Sequence, residues 1–102
     1  MRAAKQEYRV TVTTQARDDL RRIYRFVADE MMLRQTAAQQ QRRLRRELEM
    51  LRFSPARHQA VPVEPWQSRG VRSLFVGPYA ALYLVDEDKE QVSVLRVMYC
   101  GI

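Results

Sequence analysis

The sequence predicts an α+β fold in which an N-terminal strand, an antiparallel helix hairpin and a three-stranded antiparallel meander follow one another (β-α-α-β-β-β). Three observations support this order: strict alternation near the N-terminus, helical spacing of apolar residues before residue 54, and three apolar runs between turn residues near the C-terminus. A length of 102 residues suits one domain, 1–102. Its first six residues, 1–6, are expected to be disordered or extended.

The first strand is predicted at 7–13, where apolar and polar residues alternate. A helix is predicted over 15–30, with Thr14 as its N-cap. Its apolar stripe recurs at helical spacing and comprises Ala16, Leu20, Ile23, Tyr24 and Val27. One face of this helix should therefore pack on the sheet.

A second helix is predicted from Arg34 to Phe53, and Ser54-Pro55 should end it. Its apolar stripe is narrow and comprises Ala37, Leu44, Leu48 and Leu51. Because only the short apolar link 31–33 joins the two helices, they should form an antiparallel hairpin that packs on one face of the sheet.

The proline-rich stretch 56–68 predicts a surface loop, with Trp66 over the edge of the core. Three strands should follow Gly70, and the middle one is central because it is apolar on both faces. The first strand, which has no hairpin partner, should return to an edge of this meander. The predicted strands are 71–76, 79–85 and 92–99.

The composition excludes several classes of protein. Cys100 is the only cysteine and His58 the only histidine, so we predict no internal disulfide, no metal site of the Cys/His type and no cofactor. No run approaches the ~18 apolar residues of a membrane span, so no membrane association is predicted. Because the N-terminal residues contain no apolar signal core, we expect a cytoplasmic protein.

The positive charge is concentrated in one segment. The formal net charge is +6, and residues 20–57 alone hold ten arginines and four carboxylates. Arginine forms bidentate contacts with phosphate and carboxylate groups. The segment therefore indicates an acidic partner, either nucleic acid or an acidic protein, with a solvated helix face as the alternative.

An ordered set of short motifs resembles the RelE/ParE superfamily of toxins from type II toxin–antitoxin (plasmid stabilisation) modules. The resemblance covers residues 8–99, and no single motif is diagnostic. The motifs are Tyr8-Arg9-Val10-Thr11-Val12 with Ala16 and Leu20, the helix exit Leu51-Arg52-Phe53-Ser54-Pro55, the run from Gly70 to Tyr79, Tyr83, and Val92 to Tyr99.

The resemblance implies a small basic toxin that arrests bacterial growth. A cognate antitoxin would neutralise it by wrapping an acidic, partly disordered segment around it in a hetero-oligomer. Two activities occur in this superfamily: RelE-like members cut mRNA in the ribosomal A site, and ParE-like members poison DNA gyrase. A scaffold that has lost toxicity and binds only an antitoxin is a third interpretation.

The resemblance favours the ParE-like activity, because residues expected of a RelE-like nuclease are missing. No lysine lies between Lys5 and Lys89, and Ala80 stands where such nucleases carry an arginine after the aromatic residue of the middle strand. The chain also ends at Ile102, before the arginine and tyrosine that such nucleases carry. Whether the protein is an enzyme stays open.

A few residues remain as candidates for chemistry or binding. The catalytic candidates are Arg72, Arg96 and Tyr99. The predicted target- or antitoxin-binding residues are Arg42, Arg43, Arg45, Arg46, Arg69, Arg72, Tyr83 and Arg96. Two simpler interpretations accompany these hypotheses: Tyr83 packs in the core, and the sheet arginines bond acidic neighbours or the sheet edge.

Overall fold

Four strands form one mixed sheet: β1 (Arg9–Val12), β2 (Arg72–Val76), β3 (Tyr79–Asp86) and β4 (Gln91–Tyr99). Their spatial order is β1-β4-β3-β2. The three later strands pair antiparallel, whereas β1 pairs parallel to β4 at the sheet edge. The predicted meander and the return of the first strand to its edge are therefore confirmed. The computed structural model describes residues 7–101, so the predicted extended segment 1–6 lies outside the described residues.

Two helices, α1 (Thr14–Arg25) and α2 (Arg34–Glu49), form the predicted hairpin on the sheet. Leucines of both helices share one buried cluster with strand residues such as Tyr83 and Val94. This shared core confirms the α+β class. Among the helices of residues 7–101, none combines the length and the apolar character that crossing a bilayer requires.

The first helix differs from its prediction at both ends. Its N-cap is Thr13, not Thr14, because the Thr13 hydroxyl accepts a hydrogen bond from the backbone N–H of Ala16 at 3.2 Å. After Arg25 the helix widens into a π-helical turn, Phe26–Glu30, which the Met31 N–H closes onto the Phe26 carbonyl. Tyr24, predicted in the buried stripe, is exposed.

The second helix ends earlier than predicted. Its last turn tightens into a 3₁₀ turn over Met50–Arg52, and Ser54 adopts a left-handed conformation (φ 48°) before Pro55. The following loop is more ordered than predicted. It contains a second 3₁₀ turn, Pro55–Arg57, and a one-turn helix α3 (Trp66–Arg69), and it pairs with the β2 edge through Ala60.

The middle strand of the meander is the most buried, as its two apolar faces predict. All five residues from Tyr79 to Tyr83 are buried. β3 lies between β4 and β2, and its register with β4 shifts at Leu82/Tyr83. The core therefore lies between β3, β4 and the helix hairpin, and it positions the surfaces described next.

Candidate functional site

A groove of about 900 Å³ lies between α1, the π-helical turn with its link, and the C-terminal half of β4. We call it the apolar groove. Phe26 and Tyr99 on its walls are 57% and 66% exposed, and Met31 in the link is 50% exposed. A contiguous exposed apolar surface of this kind marks an interaction site. The main apolar lining residues are Ile23, Phe26, Met31, Leu33, Tyr79 and Tyr99.

The groove exists because β1 is shorter than β4. Pairing between these strands ends at Val12 opposite Val94, whereas β4 continues to Tyr99. Within residues 7–101, the edge of β4 that faces away from β3 therefore has no strand beside it beyond Val94. α1 packs on β4 instead. The residues of this uncovered part of β4 line the groove: Arg96, Val97, Met98 and Tyr99.

Asp19 joins α1 to this uncovered part of β4. Its carboxylate accepts the backbone N–H of Val97 at 2.9 Å and two hydrogen bonds from the Arg96 guanidinium, at 2.7 and 3.0 Å. Arg22 donates a further bond at 3.3 Å. Asp19 is 3% exposed, so a buried carboxylate is held by four donors.

The donors around Asp19 keep it charged. Burial by itself would raise the pKa of this carboxyl, but the hydrogen bonds from Arg96 and Val97 and the charges of Arg96 and Arg22 outweigh burial and lower the pKa. Arg96, a candidate for catalysis and binding, is thus engaged by a structural carboxylate. The simpler interpretation, that it bonds an acidic neighbour, matches this contact.

Arg72 holds the loop rather than an open site. Its Nη1 donates to the His58 carbonyl at 2.6 Å, and its backbone bridges to Ala60. Burial and the charges of Arg57 and Arg72 lower the pKa of His58. Arg72 therefore bonds the sheet-edge loop rather than an acidic residue.

Tyr83 belongs to the core. It is fully buried, and its hydroxyl donates to the Pro55 carbonyl at 2.6 Å. Burial raises the pKa of this phenol to about 12. Tyr83 therefore packs in the core, as the simpler interpretation expects, and its role in binding a target or antitoxin stays a prediction.

Two of the three catalytic candidates, Arg96 and Tyr99, line the apolar groove, whereas Arg72 does not. Arg72 lies opposite Tyr83, and Arg96 lies opposite Leu82. Tyr83 and Leu82 are adjacent in β3, so their side chains point to opposite faces. Tyr99 packs edge-to-face on Tyr79, with ring centroids 5.8 Å apart, and lines the apolar groove.

The predicted arginines of α2 and α3 are all exposed. They are Arg42, Arg43, Arg45, Arg46 and Arg69. Arg43 lies over the β2–β3 turn, and its Nη1 would be 3.5 Å from a Cβ if Gly77 carried a side chain. Arg45 faces a cleft between α1 and α2. The structure thus spreads these residues over several surfaces instead of assembling them with the sheet arginines.

Sequence reasoning missed the apolar groove and the role of Asp19. The apolar character of the link 31–33 predicts only a joint between the two helices. Asp19 matches the common occurrence of acidic residues near the start of a helix. Its hydrogen-bond partners, Arg96 and Val97, lie 77 and 78 residues away in the sequence, so no local pattern indicates these contacts. A run of apolar residues at a helix junction is a signal that could have indicated the groove.

Solved structures from toxin–antitoxin systems have a similar fold. A chain of the chromosomal ParDE TA system from P. aeruginosa superposes with a TM-score of 0.76 at 20% identity, over 93% of this chain and 98% of that chain. A chain of the toxin-antitoxin complex RelBE2 from Mycobacterium tuberculosis gives 0.63 at 25% identity, over 92% of each chain. The archaeal RelE-RelB complex from Pyrococcus horikoshii OT3 gives 0.54 at 17% identity, over 94% and 98%.

The chain therefore shares its fold with chains of solved toxin–antitoxin systems. No curated protein sequence matches the chain. Residues 10–101 match the family described as the ParE toxin of the type II toxin-antitoxin system, parDE. The chain belongs to this ParE toxin family, which confirms the superfamily resemblance of the sequence.

Proposed function

We propose that this protein is the toxin of a type II toxin–antitoxin module, that it acts in the cytoplasm, and that its target is DNA gyrase. The observation that carries the proposal is the family match over residues 10–101. The arrangement of the sheet arginines supports the choice of target, and the apolar groove supports an antitoxin partner.

The contacts of the sheet arginines favour gyrase over mRNA. Cleavage of mRNA requires groups that activate a ribose 2′-hydroxyl, hold the scissile phosphate and protonate the leaving oxygen. Arg72 bonds a loop carbonyl and Arg96 bonds Asp19, on two strands that β3 separates. Arg72 and Arg96 are therefore not positioned to hold one phosphate between them.

The apolar groove is the proposed antitoxin site. Its walls are apolar, while Arg22 and Arg96 lie at its lining beside the β4 edge. An amphipathic acidic segment would bury its apolar side chains in the groove and place carboxylates near these arginines. Such a segment is what the resemblance implies for an antitoxin.

A matched pair of substitutions tests the groove. Phe26→Glu places a charge in the groove, whereas Phe75→Glu changes a residue of similar exposure (63% against 57%) outside it. Each variant would be co-expressed with an antitoxin candidate, the product of a short acidic reading frame sought next to this gene, and purified through a tag on the toxin. We expect Phe26→Glu to abolish co-purification and Phe75→Glu to retain it. Retention by both variants would contradict the groove as the antitoxin site.

The gyrase target is tested on plasmid topology. Purified gyrase, ATP, a supercoiled plasmid and this protein should produce gyrase-dependent linear DNA or blocked supercoiling. Unchanged topology with a preparation that arrests growth would contradict the proposal, and cleaved mRNA ends on translating ribosomes would then establish the RelE-like alternative. Expression without growth arrest would leave the antitoxin-binding scaffold as the function.

A further inference from the structure

A second cleft, of about 490 Å³, lies between α1 and α2. We call it the arginine cleft. None of its lining residues also lines the apolar groove. The lining residues are Arg21, Tyr24, Arg25, Asp29, Gln41 and Arg45.

The arginine cleft carries an excess of positive charge. Three guanidinium groups and one carboxylate line it. Arg21 pairs with Asp18 at 2.6 Å, whereas Arg25 and Arg45 form no ion pair within residues 7–101. Two guanidinium groups without an ion-pair partner among the described residues therefore face one cleft, and both would attract an anion that lies between them.

The spacing of the two helices is set by contacts below the cleft. Gln41 of α2 donates its side-chain N–H to the Leu20 carbonyl of α1 at 2.9 Å. Leu20 and Leu44 lie in the same buried cluster beneath this bond. These contacts fix the packing of α1 against α2, and with it the separation of the backbones that carry Arg25 and Arg45. A ligand is therefore not needed to bring the two helices together.

The two surfaces lie on different flanks of α1. Arg22 and Phe26, four residues apart, line the apolar groove. Arg21 and Arg25, also four residues apart, line the arginine cleft. Residues at this spacing share a helix face. An antitoxin that fills the groove would therefore leave the cleft open.

We propose that the arginine cleft binds backbone phosphates of DNA and holds the toxin against the DNA segment on which gyrase acts. This inference rests on the proposed gyrase target. Guanidinium groups match phosphate geometry through paired donors. The exposed Arg42 and Arg46 extend the positive surface along α2 beyond the cleft. A cleft lined by three arginines suits phosphates better than an apolar protein segment, which the apolar groove suits.

The test measures binding of the full chain to a fluorescently labelled DNA duplex by anisotropy, over a series of salt concentrations. Arg25→Gln/Arg45→Gln removes two charges from the cleft. Arg9→Gln/Arg57→Gln removes two charges from exposed residues outside it. We expect the cleft variant to bind at least about tenfold more weakly and its salt slope to fall by about 2, with the control close to the wild type.

Three results would overturn the inference. They are absence of DNA binding by the wild type at low salt, equal weakening in both double variants, and displacement of DNA by poly-glutamate as efficiently as by unlabelled DNA. The last result would identify an acidic protein as the ligand. Circular dichroism of both variants checks that each is folded.

The outcome is independent of the gyrase assay. Cleft-dependent DNA binding without any effect on plasmid topology would contradict the gyrase target and leave the phosphate site standing. If the Arg25→Gln/Arg45→Gln variant poisons gyrase as well as the wild type does, the cleft has no role in poisoning. That result would contradict the inference and agree with the proposed gyrase target.

Discussion

Replacement of the buried Asp19 should destabilise the fold, because this carboxylate joins α1 to β4. Asp19→Ala leaves the N–H of Val97 without its acceptor. An unsatisfied buried donor costs about 1–3 kcal/mol. The Arg96 side chain is 42% exposed, so loss of its ion pair adds only ~0.5–1 kcal/mol. The expected decrease in the free energy of unfolding is therefore about 1.5–4 kcal/mol.

Urea unfolding followed by far-UV circular dichroism measures this decrease. Asp18→Ala is the matched control, because Asp18 pairs with Arg21 at 2.6 Å but both side chains are exposed. Such a surface pair should contribute less than ~1 kcal/mol. A decrease below ~0.5 kcal/mol for Asp19→Ala, or an equal decrease for both variants, would refute the anchoring role of Asp19.

The stabilisation by Asp19 should also depend on pH. The pKa of this carboxyl is lower in the folded chain than its ordinary value of 3.8, so the unfolded chain binds the proton more tightly. Its contribution is complete well above that value and is lost as the pH falls through the folded pKa. The difference in unfolding free energy between the wild type and Asp19→Asn should therefore shrink below about pH 4. A difference that stays constant into strong acid would contradict this charge-based account.

Two further predictions concern hydroxyl groups. Tyr83→Phe should lower the free energy of unfolding by about 1 kcal/mol because the buried bond to Pro55 is lost. In the wild type this phenol, with a pKa of about 12, should stay un-ionised in an absorbance titration until the pH approaches that value, and earlier ionisation would contradict its burial. Thr13→Ala should lower the free energy of unfolding by about 1 kcal/mol, because the hydroxyl accepts the Ala16 N–H and donates to the Leu95 carbonyl. Thr13→Ser, which keeps the hydroxyl, should retain most of the wild-type stability. Equal stability of Thr13→Ala and the wild type in urea unfolding would contradict the cap.

The elements of the fold could be predicted from local patterns. Alternation of apolar residues identified β1, and two apolar faces identified β3 as the central strand. The stripe of α2 contains Leu44 and Leu48, which are buried as expected. These predictions succeed because strand and helix periods are properties of a few neighbouring residues.

The errors occur where a long-range contact changes the local preference. Thr13 rather than Thr14 caps α1, since the Thr13 hydroxyl also reaches the Leu95 carbonyl of β4. α1 widens at Phe26 into a π-helical turn, which lets Val27 and Ala28 be buried beside Ala37 of α2. Neither event has a signal in the surrounding sequence.

The sequence by itself determined the order and type of the elements, the concentration of arginine in one segment, and the resemblance to a toxin family. Only the tertiary structure decided which residues form surfaces. The apolar groove depends on β1 ending opposite Val94 while β4 continues, and the arginine cleft depends on how two helices pack. Asp19 is an anchor because folding brings it to Val97. Such juxtapositions depend on pairing register and packing across the whole chain, which local periodicity does not encode.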